Sequence, residues 1–240
     1  MKFEDIIHYR RSVRHYKNLA IDSEKVKHCL ELAALSPNSS NMQLWEFYHI
    51  TNPDMIKKLA VACLNQQAAA TAQELVVFVT RQDLYRKRAR KMTELESQNV
   101  LKNSPKEKQG KRIQKWELYY GKVMPFLYSR FLGILGIFRK LIVSLIGLFR
   151  PIVYQVSEND MRVVVHKTCA LATQTFMLAM VNEGYDTCPM EGFDSRRVKR
   201  LLKLPFGAEI NMIISCGIRD EHGVWGDRMR IPFDKIYQRI

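Results

Sequence analysis

Apolar residues recur every three to four positions in some stretches of the chain and alternate or run together in others. The first pattern is typical of helices and the second of strands. Over the first 80 residues these patterns predict helices at Phe3–Tyr9, Glu24–Leu35 and about Met55–Gln67, and strands at Trp45–Thr51 and Leu75–Thr80. The last of these is a continuous apolar run, which is typical of a strand that is buried on both faces.

Regular patterning returns in the last third of the chain. The spacing of apolar positions predicts a long helix over Glu158–Gly184, a loop as far as Asp194, a short basic helix over Ser195–Leu202 and a strand over Glu209–Gly217. Helices that surround a small number of strands predict a protein of the α+β class.

The segment between these two regions differs in charge and composition. The whole chain of 240 residues has a net charge of +14, and the segment Arg81–Tyr154 alone carries 17 Lys or Arg against 5 Asp or Glu. Its first part, 81–122, is predicted to be helical in places, with a linker at Asn103–Lys106. Its second part, Pro125–Tyr154, is apolar with sparse positive charges, so the basicity belongs to this segment and not to the whole protein.

Cysteine and histidine usage argues against several classes of site. The five cysteines are scattered and form no CxxC pair, so neither a disulfide framework nor a zinc site is expected. The six histidines show no metal-ligand spacing, and we expect no metal. The first residues show no apolar signal region, which leads us to expect a reducing, cytoplasmic compartment.

A short polar loop precedes the first predicted strand. The stretch Ser36–Phe47 contains Pro37, which ends the preceding helix, and then Asn38, Ser39 and Asn41, which offer many hydrogen-bonding groups. Such a loop suits a ring-containing ligand that is held by its edges. By itself the signal is weak, because most clusters of this composition are solvated turns.

Arginines occur in two groups far apart in the chain, outside the basic segment. The groups are Arg10, Arg11 and Arg14 with Ser12 between them, and Arg228 with Arg230. The planar guanidinium matches phosphate oxygens, and a serine hydroxyl adds a donor. The two groups either converge on one phosphate or are ordinary surface charge.

The stretch Pro189–Asp194 follows the long predicted helix. Its proline and glycine restrict the backbone so that N–H groups can point at a ligand. Flavin chemistry needs such donors near the N5 atom, which accepts hydride, while one face of the ring stays open. The alternative is a simple turn between helices.

Taken together and in this order, four stretches resemble the FMN-dependent nitroreductase family, also known as NAD(P)H:FMN oxidoreductases. They are Arg10–Arg14, Ser36–Phe47, Pro189–Asp194 and Arg228–Arg230. The resemblance covers about residues 1–80 and 158–234. It implies one α+β domain over residues 1–240, with a mixed β-sheet flanked by helices, a dimer, and a large basic and apolar helical insert at 81–157.

The resemblance also implies roles for individual residues. It implies that Arg10, Ser12 and Arg230 bind the phosphate, with Arg11 and Arg228 nearby. It also implies that Arg14 lies beside the N1/O2 edge of the flavin. Asn65 matches an amide against the pyrimidine edge of the ring. In the Pro189–Met190–Glu191–Gly192 stretch, the backbone of Glu191 and Gly192 would donate near N5. The residues that would reach the FMN from the other subunit of the dimer are Pro37, Asn38, Ser39 and Asn41.

The implied activity is an oxidoreductase reaction in which hydride passes from NAD(P)H through flavin N5 to an electrophile such as a nitroaromatic or a quinone, in a ping-pong cycle. A specialised dehydrogenation or reductive dehalogenation on the same scaffold is the alternative among flavoproteins. A different class is a non-enzymatic basic protein that binds an anionic membrane surface through residues 81–154. No nucleic-acid motif is visible, so no nucleic-acid partner is expected.

The apolar part of the insert has two interpretations. Phe131–Phe149 holds 13 Val, Ile, Leu or Phe residues in 19 positions, interrupted by Arg139 and Lys140. A single membrane crossing would separate residues 1–80 from 158–240, although both contribute to one FMN site. We therefore expect either a segment in a membrane interface, which would make the cytoplasmic protein membrane-associated, or a lid packed on the protein.

Overall fold

The computed structural model describes residues 2–240 and has ten helices and four strands in that range. The helices are α1 (Phe3–Tyr9), α2 (Ser23–Ala33), α3 (Pro53–Ala62), α4 (Gln67–Ala70), α5 (Tyr85–Asn103), α6 (Lys106–Leu118), α7 (Met124–Tyr128), α8 (Ile134–Gly147), α9 (Glu158–Asn182) and α10 (Ser195–Leu201). The strands are β1 (Trp45–Ile50), β2 (Glu74–Thr80), β3 (Asp186–Met190) and β4 (Glu209–Gly217). This arrangement confirms the predicted α+β class.

The four strands form one sheet in the order β1-β2-β4-β3. Every neighbouring pair of strands is antiparallel. Within residues 2–240 the only parallel pairing outside these strands is an isolated bridge between Ser12 and Thr187, at the β3 edge. The expected mixed pairing is therefore limited to this bridge.

Strand β2 lies between β1 and β4, and its side chains alternate between two cores on the two faces of the sheet. Leu75 and Val77 point into a core formed with α3, α4 and α10. Val76 and Phe78 point into a second core with α2 and α9, where the Phe78 ring lies 5.5 Å from that of Phe176. All seven residues of β2 are buried, as expected for a continuous apolar run with helices on both faces.

Two of the predicted boundaries are wrong. Residues 186–190 form β3 and not part of a loop, so Pro189 and Met190 lie in a strand opposite Ile214 and Ile213. Proline is tolerated there because β3 is an edge strand whose outer side, among residues 2–240, carries only the short bridge to Ser12. Helix α3 ends at Ala62 and not at Gln67, because the backbone of Leu64 and Asn65 adopts the left-handed conformation.

The segment expected to be an insert, residues 81–157, contains helices α5 to α8, and all four strands lie outside it. A third core joins α5 and α7 to the start of β1 and to α9, through residues such as Met92, Tyr128, Leu44 and Val165. The break between α5 and α6 falls at Ser104–Pro105, within the predicted linker.

Two further features bear on membrane contact. Arg139, which the sequence suggested as a cation within an apolar surface, is 1% exposed, whereas its neighbour Lys140 is exposed. One helix among residues 2–240, α9, has the length and composition of a membrane span. Because α9 packs in the centre of the protein against β2 and α2, these properties are those of a core helix.

Candidate functional site

The chain brings its N-terminal and C-terminal arginines together at the end of helix α1. The guanidinium of Arg228 donates to the carbonyls of Ile7 (3.2 Å), His8 (3.1 Å) and Arg10. The last carbonyls of a helix have no partner within the helix, so the tail arginine satisfies them and complements the helix dipole. The predicted convergence of the two arginine groups is therefore present in the fold.

Arg10 lies half-buried in this cluster of positive charge. Burial lowers the pKa of Arg10, and the charges of Arg228 and Arg230 lower it further. None of the three has an acidic partner within 4 Å among residues 2–240. The Arg230 guanidinium bonds only its neighbour's carbonyl, on Met229, at 2.7 Å. Three cations without a counter-charge are suited to an anion such as a phosphate.

The edge strand β3 fixes the backbone after Arg10. Ser12 forms a bridge with Thr187, and the N–H of Val13 donates to the Thr187 carbonyl at 3.1 Å. This register lays residues 10–14 along β3, beside Cys188. Burial raises the pKa of the Cys188 thiol, against the influence of Arg14 and Arg10, so the thiol is protonated and chemically quiet.

Arg11 and Arg14 also have partners within the chain. Arg11 Nη2 donates to the carbonyl of Gly226 at 2.7 Å, which ties it to the tail. The guanidinium carbon of Arg14 lies 4.6 Å from the ring centroid of Trp225, a cation–π contact. Arg14 is exposed, whereas Arg11 holds the tail in place and has less capacity for a ligand.

The loop after β3 presents backbone donors to solvent. Of the predicted stretch, Pro189 and Met190 belong to β3, whereas Glu191 and Gly192 lie in the exposed loop. In the described part of the chain, the N–H groups of Glu191 and Gly192 have no hydrogen-bond acceptor. Unpaired N–H groups in a loop that follows β3, the strand beside residues 10–14, are suited to a polar ligand.

A second loop holds this one in position. The side-chain amide of Gln66 donates to the Gly192 carbonyl at 2.6 Å, and the N–H of Asp194 donates to the carbonyl of Ala62 at 2.8 Å. Asn65 precedes Gln66, is exposed, and has a left-handed backbone (φ 53°). The structure therefore brings Asn65 close to the Glu191–Gly192 loop.

The loop with Pro37, Asn38, Ser39 and Asn41 does not join this group. It precedes β1, at the opposite edge of the sheet from β3, and three strand spacings of about 4.8 Å separate the edges. Asn38 and Asn41 bond each other at 3.3 Å. One chain therefore holds the arginine cluster and this loop far apart.

The polar loop is instead held by the insert and by α9. The hydroxyl of Ser36 donates to that of Thr175 on α9 at 2.7 Å. Ser40 contacts two insert residues. Its hydroxyl lies 2.8 Å from the Tyr119 hydroxyl, and its carbonyl accepts a hydrogen bond from the Tyr120 hydroxyl at 3.0 Å. The insert thus determines the conformation of a loop that belongs to the candidate site.

Sequence reasoning missed Gln66 and Trp225. Gln66 orients the Gly192 loop, and Trp225 orients Arg14. The one available signal for Gln66 was its place next to Asn65. Nothing in the sequence pairs Trp225 with a residue some 200 positions away, so this contact could be found only in the fold.

Known proteins are similar to this chain over most of its length. The model of the family described as the nitroreductase family matches residues 7–218. Protein DrgA of Synechocystis is 26% identical over 239 residues, which cover 97% of this chain and 93% of DrgA. A Bacillus subtilis protein named "putative NAD(P)H nitroreductase MhqN" is 22% identical, over 90% of this chain and 88% of its own.

Solved structures share the fold. A nitroreductase family protein from Streptococcus pneumoniae has a TM-score of 0.71 at 21% identity and covers both chains completely. A protein from Exiguobacterium sibiricum, described as a "putative nitroreductase in complex with FMN", has a TM-score of 0.71 at 20% identity, over 100% of this chain and 98% of its own. With the family model matching most of its length, this chain belongs to the nitroreductase family.

Proposed function

We propose that this protein is an FMN-dependent oxidoreductase that takes electrons from NAD(P)H and delivers them to a small electrophilic acceptor such as a nitroaromatic or a quinone. Membership of the nitroreductase family supports oxidoreductase activity. The names of relatives support the cofactors, since one solved relative is a complex with FMN and MhqN is named as an NAD(P)H nitroreductase.

The observation that carries the proposal is the group of Arg10, Arg228 and Arg230. Arg228 donates to the carbonyl of Arg10, and burial, followed by the charges of Arg228 and Arg230, lowers the pKa of Arg10. None of the three has an acidic partner within 4 Å among residues 2–240. A bound phosphate would offset this repulsion, and the flavin mononucleotide carries one. The residues present therefore fit the cofactor.

Each part of the site has a task in this proposal. Arg10 and Arg230 bind the phosphate, Ser12 adds a hydroxyl donor, and Arg228 holds the end of α1 in place. The N–H groups of Glu191 and Gly192 serve as donors for the ring. When bound, FMN supplies the two-electron chemistry, by accepting hydride from NAD(P)H at N5 and reducing the acceptor in a second, ping-pong step.

The rest of the flavin ring would contact two further side chains. The amide of Asn65 is available for the pyrimidine edge, because it has no hydrogen-bond partner within residues 2–240. The exposed Arg14 guanidinium provides positive charge for the N1/O2 edge, where negative charge develops on reduction. The Trp225 ring lies 4.6 Å from that guanidinium, and this cation–π contact favours its position.

A second copy of the chain completes the proposed site. The loop with Pro37, Asn38, Ser39 and Asn41 is at the far edge of its own sheet and cannot reach its own arginine cluster. In a homodimer with two-fold symmetry, each loop can approach the cluster of the other copy, which makes two equivalent sites.

The purified protein tests the proposal directly. We expect a yellow protein that releases FMN on denaturation and oxidises NADH or NADPH when 1,4-benzoquinone or nitrobenzene is added. Initial rates at several acceptor concentrations should give parallel double-reciprocal lines, which are typical of a ping-pong cycle. A colourless protein that does not quench FMN fluorescence on titration would contradict the proposal.

A further inference from the structure

Helix α8 has its apolar face turned outward. Its exposed apolar side chains recur at helical spacing and form one stripe, made of Ile134, Ile137, Phe138, Leu141 and Leu145, which Leu148 continues just after the helix. The opposite, buried face contains Gly136, Arg139 and Val143. In a helix that packs only on its own protein the apolar stripe faces the core, so α8 is inverted with respect to that pattern.

The inversion is fixed by hydrogen bonds and close packing. The guanidinium of Arg139 donates to the carbonyls of Phe126 (2.6 Å), Val156 (2.7 Å) and Ser129 (3.1 Å). A Cβ atom at Gly136 would lie 2.8 Å from the backbone nitrogen of Glu158, so only glycine allows this approach to α9. The buried face is therefore specific, and the apolar stripe is left for another surface.

The residues around the stripe extend it and add positive charge. Leu132 is 89% exposed before the helix and Phe149 is 88% exposed after it. Residues 118–157 contain no Asp or Glu. The exposed cations Lys140 and Arg150 have no acidic partner within 4 Å in the part of the chain that the structure describes. The surface is thus apolar with two cations that form no ion pair among residues 2–240. The carboxylates of Glu158 and Asp160 lie at its edge, where Glu158 accepts hydrogen bonds from the N–H groups of Phe131 and Gly133.

We propose that α8 and its flanking residues are a docking surface for an anionic membrane. Apolar side chains would enter the boundary between headgroups and acyl chains, while Lys140 and Arg150 would contact lipid phosphates. Helix α8 has 14 residues, about 21 Å at 1.5 Å per residue, and is too short to cross a bilayer. It therefore lies along the surface.

The charges favour a membrane over a second copy of the chain as the occupant. A two-fold contact through this face would set the same patch, with its unpaired Lys140 and Arg150, against itself and would add no new negative charge. An anionic bilayer supplies the missing negative charge as well as the apolar medium. The same argument disfavours a lid closed by the partner subunit, since that lid would bury Lys140 without a counter-charge.

Vesicle flotation of the full-length protein tests this surface. We expect the wild type to float with vesicles of phosphatidylcholine mixed with phosphatidylglycerol at low salt, and to float much less with phosphatidylcholine alone. The double variant Ile137→Glu/Leu141→Glu should bind at least about tenfold more weakly, because both positions leave water on docking. Leu101→Glu on α5, at an equally exposed leucine, is the matched control and should bind like the wild type.

Two further pairs of variants distinguish the contribution of positive charge to binding from the insertion of apolar side chains into the membrane. Lys140→Glu should weaken binding to the mixed vesicles, whereas Lys111→Glu on α6, with the same change of charge, should have a smaller effect. The tryptophan emission of Leu141→Trp should shift to shorter wavelength when anionic vesicles are added, and that of Leu101→Trp should not. Circular dichroism and thermal unfolding identify variants that fail to fold, and the tryptophan pair does not depend on a loss of binding.

Three results would overturn the proposal. The first is a wild type that stays unbound at low salt with anionic vesicles. The second is equal binding by the double glutamate variant and the Leu101→Glu control. The third is a fall in molar mass of the double variant by light scattering, which would identify the face as an interface between copies of this chain.

Discussion

The guanidinium of Arg228 donates a hydrogen bond to the backbone carbonyl of Arg10, and so joins positions 218 residues apart. Two like charges are held together here by backbone acceptors, because Arg228 also bonds the carbonyls of Ile7 and His8. The partial negative charge at the end of α1 offsets part of the repulsion. The C-terminal tail thereby becomes part of a site that begins at residue 10.

Removing Arg10 should weaken FMN binding. Loss of one charge-assisted contact to phosphate costs about 1.5–3 kcal/mol, so Arg10→Ala should raise the Kd for FMN about ten- to hundredfold. Arg230→Ala should act in the same direction. FMN fluorescence quenching on the apoprotein measures both. Arg196→Ala on α10 removes an exposed positive charge outside the cluster and serves as control; FMN affinities that match this control in both variants would refute the assignment.

A mixed dimer should regain one cofactor site. Arg10→Ala alters the site in its own chain, whereas Asn41→Asp adds negative charge to the loop offered to the other copy. Each variant alone should lose FMN. Co-expressed with different tags and purified as the mixed dimer, they should bind about one FMN per dimer, since one site carries both changes and the other neither. A monomer with full FMN content would rule out the shared site.

Arg139 should contribute strongly to stability. Arg139→Met leaves the carbonyls of Phe126, Ser129 and Val156 without their donor in a buried place, which should lower the free energy of unfolding by about 2–4 kcal/mol. Lys140→Met, at the exposed neighbour, should change it by less than about 0.5 kcal/mol. Urea unfolding of the two variants gives the comparison, and similar values for both would show that the buried arginine is not a structural tie.

Glu209 should make stability depend on pH. His166, followed by Arg162 and Arg130, holds the pKa of this carboxyl at about 2, against the effect of burial, and its ordinary value is 4.5. A depressed pKa stabilises the folded state above pH 4.5, and this contribution disappears as the pH falls toward 2. Glu209→Gln should therefore unfold about 1–3 kcal/mol more easily at pH 7, with a gap that narrows between pH 4.5 and 2.

The measurement for Glu209 is urea unfolding across that pH range. Glu117→Gln, at an exposed carboxyl of α6, is the control, and its free energy of unfolding should depend on pH in the same way as that of the wild type. A difference between wild type and Glu209→Gln that stays constant from pH 7 to pH 2 would mean that the carboxylate is not stabilised by its cations.

The sequence by itself determined the elements whose signals are local. Helix α2 and strand β2 follow from apolar spacing, because side-chain periods of 3.6 and 2 are properties of the chain itself. The family followed from four short stretches in a fixed order, and the match to the nitroreductase family model confirms it. The roles of the site residues in binding FMN and the shared dimer site stay predictions.

The tertiary structure decided what depends on distant partners. Pro189 lies in a strand because β4 offers an edge to pair with, although proline is a poor strand residue by itself. Arg139 and Lys140 are adjacent in sequence, yet three carbonyls from other parts of the chain bury the first and leave the second in solvent. Such choices depend on which polar groups remain unpaired after the chain folds, and no local pattern of residues contains that information.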